Sequence, residues 1–230
     1  MLMSAFDPKR TLQRETMKLS ALRGKAKRNT IEVEHIVAAA KARVPGLGEE
    51  LRRLAEEHEW HAATRLPDGS HVVPLAKWAE IAGAYADGGV DSLCHLVASP
   101  GNADYIIGLL EEIASPDAVS ALIAFFPEAM HEPASAPRTA WRLVEAYNRL
   151  LSCKGGPALS NSQAETIRSF LVSCLAAATS ETQRANVVYA LRGVGDESSL
   201  TLLAAINDFA PPHDSARAMV MRVIRKRLLA

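Results

Sequence analysis

Two segments of this chain share a pattern that few folds accommodate: LEEIASPDAVSALIAFF, from Leu110 to Phe126, and LRGVGDESSLTLLAAI, from Leu191 to Ile206. In each, an apolar stretch stops at Ile113 or Val194, a short turn carries Asp117 or Asp196, and a second apolar stretch follows; the two align with a single inserted residue. An Asp beside Ser, Pro or Gly ends one helix and caps the next by accepting hydrogen bonds from its free N–H groups. Each segment is therefore expected to be a helical hairpin. AYADGGVDSLCHLV, from Ala84 to Val97, has the same outline, with Gly88 and Gly89 closing one helix and Asp91 in the first turn of the next.

Periodicity supports the individual helices. Tyr105, Ile106, Leu109, Leu110 and Ile113 fall on one helical stripe. Ile167, Phe170, Leu171, Cys174 and Leu175 fall on a second, and Val187, Val188, Leu191 and Val194 on a third. None of these stretches alternates as a strand does. Aromatic residues are 5% of the chain, and Ala and Leu are abundant, a balance that favours packed helices over sheets. The hairpins are expected at about 75 to 98, 102 to 130, 136 to 178 and 182 to 209, with a last helix at about 214 to 229. The stretches 127 to 138 and 152 to 162 read as loops. A lone hairpin cannot bury its stripe, so neighbours must stack into one continuous core.

The unit resembles the HEAT-repeat superfamily, in particular short bacterial repeats related to phycobilisome-lyase HEAT proteins. Ala190, Leu191, Gly195, Asp196, Leu200 and Leu203 carry the resemblance, with weaker echoes at Leu110, Ile113, Asp117, Val119 and Leu122. It implies an all-α fold, a right-handed α-α superhelix of HEAT or armadillo type over residues 75–230. It also implies a scaffold that binds partners along a concave face lined by the second helix of each hairpin. Which partner is bound does not follow from the fold.

Residues 1–74 stand outside the repeats and read as a helical extension. Between Asp7 and Arg28 there are eight Lys or Arg against two acids, and Leu12, Met17, Leu19 and Leu22 suit one face of a helix. IEVEHIVAAAKAR and GEELRRLAEEHEWHAATR read as two further helices, and RLPDGSHVVP as a hairpin or a linker.

Lys plus Arg equals Asp plus Glu at 26 each, so the chain as a whole has no electrostatic pull toward nucleic acid or an anionic membrane. The distribution is uneven. From Gly88 to Glu132 there is no Lys or Arg, yet there are seven acids: Asp91, Asp104, Glu111, Glu112, Asp117, Glu128 and Glu132. If the second helix of each hairpin lines a concave side, Asp91, His95, Asp117 and Ser120 face one groove. Such a groove steers and clamps a basic partner. The plainer account is that acids favour helix starts and that Asp91 and Asp117 are caps. The expected contact set is Asp91, His95, Asp104, Glu111, Glu112, Asp117, Ser120 and Glu128.

Basic clusters sit at both ends, Lys9 to Arg28 and then Arg217, Arg222, Arg225, Lys226 and Arg227. They suit phosphate contacts, and the C-terminal set also suits the last turn of a capping helix. Glu32 with His35, and His58 with His61, share helix faces, but no second Glu-x-x-His unit and no Cys pair accompany them, so no metal is expected. No strained-turn nucleophile motif and no phosphate loop occurs, so neither catalysis nor a cofactor is expected. Cys94, Cys153 and Cys174 read as reduced, mostly buried thiols. No apolar run approaches the roughly 20 residues that span a bilayer, and the start lacks a signal peptide's apolar region; a cytoplasmic location is expected.

Two specific functions remain beside a plainer one, a subunit of a larger assembly that docks through its N-terminal region. In the first, the chain is a scaffold that engages one basic protein through its acidic face, in the manner of an immunity protein or antitoxin that neutralises a bacterial toxin. In the second, the basic terminal helices bind nucleic acid, as in DNA-repair proteins of HEAT type.

Overall fold

The structure, a computed structural model, describes residues 18–28, 31–60, 75–99, 101–152 and 156–229. Among them every regular element is a helix. The contacts divide the chain into two compact units, with the boundary between Asp87 and Gly88.

In the first unit, α1 (Leu19–Lys27), α2 (Val33–Lys41), α3 (Leu47–Glu57) and α4 (Leu75–Gly88) bury an apolar set that includes Leu22, Ile36, Leu47, Leu51, Ile81 and Trp60. α1 packs on α3. α4, expected to open the repeat region, meets α3 at a pair of glycines: a Cβ on Gly83 would lie 2.7 Å from the Gly48 Cα. Residues 1–17 and 61–74, which hold most of the expected basic helix and the RLPDGSHVVP stretch, lie outside the described residues.

The second unit begins with one 3-10 turn (Asp91–Leu93) that runs into α5 (Cys94–Val97). Then come α6 (Ala103–Ile113), α7 (Pro116–Phe125), α8 (Pro127–His131), α9 (Pro137–Ser152), α10 (Asn161–Ala177), α11 (Glu181–Val194), α12 (Glu197–Ala205) and α13 (His213–Leu228). Alternate helices form a ladder: α6 packs on α9, α9 on α11, and α11 on α13. α7 packs on α6 and on α10, and α10 packs on α9 and α11. The stripes read from the sequence supply these contacts. Ile106, Leu109 and Leu110 are buried, as are Ile167, Phe170, Leu171 and Cys174, and Val187, Val188, Leu191 and Val194. Between them sits Tyr147, fully buried, its ring edge-on to Phe170 at 5.9 Å and its hydroxyl 3.7 Å from the Met130 sulfur.

α9 and α11 make the most extensive contact, and a glycine permits it. A Cβ on Gly193 would collide with the Leu151 Cβ and lie 2.9 Å from the Leu151 carbonyl oxygen. The backbones approach closely because nothing projects between them.

The turns follow their cap chemistry. Asp196 accepts the Ser199 N–H at 2.9 Å and caps α12, as the repeat pattern requires. At the matching turn the cap is Ser115, which accepts the Ala118 N–H at 3.1 Å; Asp117 stands inside the first turn of α7, behind Pro116. The expectation of Asp117 as a cap is corrected on this point. With Pro116 at the first helical position, the cap falls two residues before Asp117, at Ser115. Ser160 and Gln163 form a reciprocal capping box on α10, at 3.2 and 2.8 Å. The stretch 127–138, read as a loop, contains α8 and the start of α9, both opened by prolines at positions where an N–H is dispensable.

Candidate functional site

Asp91 is the first residue of the 3-10 turn, and His95 lies four residues on, in α5; both are exposed. Asp117 and Ser120, three apart, share the exposed face of α7. Ser120 Oγ donates to the Pro116 carbonyl at 3.1 Å and accepts from Gln163 Nε2 at 2.9 Å, which ties α7 to the first turn of α10. Glu128 opens α8 and is exposed. None of Asp91, Asp117 and Glu128 makes an ion pair with another described residue.

The remaining acids of the expected set are already engaged. Glu111 is buried in α6, where Arg142 Nη2 donates to its Oε2 at 3.0 Å and Arg149 Nη1 to its Oε1 at 2.7 Å. Both arginines come from α9, so this carboxylate ties two rungs of the ladder together. Asp104, in the first turn of α6, pairs with Arg138 at the start of α9. Glu112, beside Glu111, is half-buried and also has a partner. The acidic stretch therefore splits in two, with one part joining α6 to α9 and the other facing solvent.

The basic clusters split in the same way. Arg217 donates to the carbonyls of Leu203 and Ile206 and pairs with Asp214 at 2.6 Å. Arg227 donates to carbonyls at the end of α11. Arg222, Arg225 and Lys226 remain exposed. In the first unit, Arg23 grips the buried Glu50 through Nε and Nη2, both at 2.9 Å, and Arg53 adds a third contact at 2.7 Å. Hydrogen bonds from Arg23, then from Arg53, hold the Glu50 carboxyl down to about 2 against the opposition of burial.

One constellation was not foreseen. α10 supplies Arg168, the turn after α11 supplies Asp196, and α13 supplies Arg227. Arg168 Nη1 lies 3.0 Å from Asp196 Oδ2 and donates to the Val194 carbonyl at 3.1 Å. Burial works against ionisation of Asp196, but the Ser198 hydroxyl, the Ser199 N–H and hydroxyl, and the charge of Arg168 hold it down to about 2. The three side chains border a cleft of about 550 Å³. Its only sequence signal is the GVGD turn itself. That Arg168 and Arg227 meet there requires the packing of three helices.

Histidine chemistry is modest. His35 Nδ1 accepts the Glu32 N–H at 3.0 Å, so the pair closes the start of α2. Burial, then the charge of Lys25, lowers the His35 pKa. His61 lies outside the described residues, and among the described residues no group of three potential ligands could hold a metal ion. Cys174 is buried, which pushes its thiol up to about 12 and makes it inert. Cys94 is exposed, contrary to the expectation of a buried thiol, because α5 is a single turn whose residues none reach full burial. Among the described residues no helix is long and apolar enough to cross a membrane.

No family model, no curated protein and no solved structure matches this chain.

Proposed function

We propose that this chain is a helical-repeat binding protein whose second unit is a HEAT-like right-handed superhelix, and that it holds one basic protein partner against its exposed acids. The ladder α6, α9, α11, α13, with α7 and α10 packed beside it, supports the repeat reading, because stacked hairpins bury their stripes through alternate helices.

Asp91, Asp117 and Glu128 carry the functional reading. All three are exposed, none is paired with a described residue, and no Lys or Arg lies between Gly88 and Glu132 to neutralise them. Asp104 and Glu111 have their arginines, whereas these three have no described cationic partner. Exposed carboxylates without a cation attract a basic partner and speed its encounter. A nucleic-acid-cleaving toxin has a basic surface of this kind, and an immunity protein or antitoxin that covers it fits the size and charge pattern of this chain.

The test compares two baits, the wild-type chain and the triple variant Asp91→Lys, Asp117→Lys, Glu128→Lys, in extracts of the source cells. A basic protein recovered by the first and depleted at least about tenfold by the second, as loss of close charge pairs requires, supports the proposal. Equal recovery by both baits removes these acids from the interface.

A further inference from the structure

We infer that the cleft at the C-terminal end of α11 binds a small organic anion, with a carboxylate or phosphate head group held by Arg168 and Arg227 and a short apolar tail. This site uses none of the exposed acids and stands independently of the function proposed above.

The last carbonyls of α11 lack intrahelical donors and carry the negative end of its dipole. Two guanidinium groups cover them. Arg227 Nη1 donates to the Arg192 carbonyl at 3.1 Å and to that of Gly193, and its Nη2 donates to that of Gly195; Arg168 Nη1 takes that of Val194. Capping alone would account for the positions of both side chains. It does not use all of their donors. Arg168 Nε and Nη2, and Arg227 Nε, have no acceptor among the described residues.

Charge is also left over. Two guanidinium groups meet one carboxylate, Asp196, and the negative end of α11, about half a charge, so net positive charge remains on the planar forks that recognise carboxylate and phosphate. Burial and then the neighbouring charge of Arg168 lower the pKa of Arg227, with Asp196 opposing them. An anion lodged between the two arginines relieves that repulsion.

The shape of the cleft supplies the rest. Leu151, Pro157, Leu159, Ala164 and Leu228 form an apolar wall beside the arginines. A volume of about 550 Å³ suits a ligand of metabolite size. A free inorganic ion would leave that wall wet, which is why an apolar tail belongs to the inference.

Isothermal titration of the full chain with sodium hexanoate, and separately with inorganic phosphate, at matched ionic strength tests it, with hexanol as the neutral control. Saturable binding of one anion per chain is expected, with no binding of hexanol. Tighter hexanoate identifies a carboxylate ligand, and tighter phosphate identifies a phosphate. Arg168→Gln, which removes a charge-assisted contact, should weaken binding about tenfold. Ala164→Phe keeps both arginines and every carbonyl cap but fills the cleft, so it decides the matter even if Arg168→Gln does not fold; it should abolish saturable binding. Absence of saturable binding of either anion to the wild-type chain, or unchanged affinity in Ala164→Phe, overturns the inference and leaves the two arginines as helix caps.

Discussion

Arg149 donates to Glu111 at 2.7 Å across the α6 and α9 contact, although 38 residues separate the two in the chain. Glu111 is buried, Arg142 holds its other oxygen, and the carboxylate thereby becomes a tie inside the ladder. Breaking a buried pair from the carboxylate side strands the half-buried Arg142, while the exposed Arg149 turns to water. Glu111→Ala is therefore expected to lower unfolding free energy by about 3 kcal/mol, read by urea denaturation, whereas Glu128→Ala, on an exposed residue, should change it by less than about 0.5 kcal/mol.

Two glycines in helices should respond in opposite senses to alanine. At Gly193 a Cβ would collide with Leu151 where α9 and α11 cross, and overpacking of this kind costs about 1–3 kcal/mol. At Gly24, in α1, the nearest atom is the flexible end of Arg28 at 3.4 Å, so Gly24→Ala should stabilise by up to about 1 kcal/mol through helix propensity alone. Thermal unfolding of the two single variants reads both signs.

Ala114 ends α6 with φ at 52°, in the left-handed region that glycine tolerates and alanine does not. Left-handed backbone costs a residue with a Cβ roughly 1–2 kcal/mol, while glycine loses about 0.5–1 kcal/mol of chain entropy on ordering. Ala114→Gly should raise the melting temperature, and Ala114→Val should lower it.

Acid should weaken the first unit through Glu50. Its pKa is depressed from 4.5 to about 2 by Arg23 and Arg53, so the unfolded chain binds the proton first as pH falls. The stabilisation is complete above pH 4.5 and drains away as pH falls through about 2. Denaturant unfolding followed through this window should show that slope in the wild-type chain and a shallower one in Glu50→Gln.

The apolar stripes, the ends of α6 and α11 and the Asp196 cap were legible in the sequence, because each depends on residues within about one or two turns of one another. The Ser115 cap was missed because Ser-Pro-Asp offers two cap chemistries two positions apart, and only backbone geometry selects between them. Glu111 read as a surface acid because nothing beside it announces partners 31 and 38 residues downstream. The meeting of Arg168 with Arg227 was hidden for the same reason: the two lie 59 residues apart in sequence, on helices that each pack on α11. The exposed positions of Asp91, Asp117 and Glu128 were read from local pattern, and each is solvent-facing in the fold.

The role of the exposed acids is read by the paired recovery of a partner by the wild-type chain and by the variant carrying Asp91→Lys, Asp117→Lys and Glu128→Lys, quantified by mass spectrometry. One basic protein is expected to be held by the first and lost at least about tenfold by the second, with both baits equally folded by circular dichroism. The same proteins in the same amounts from both baits would contradict it.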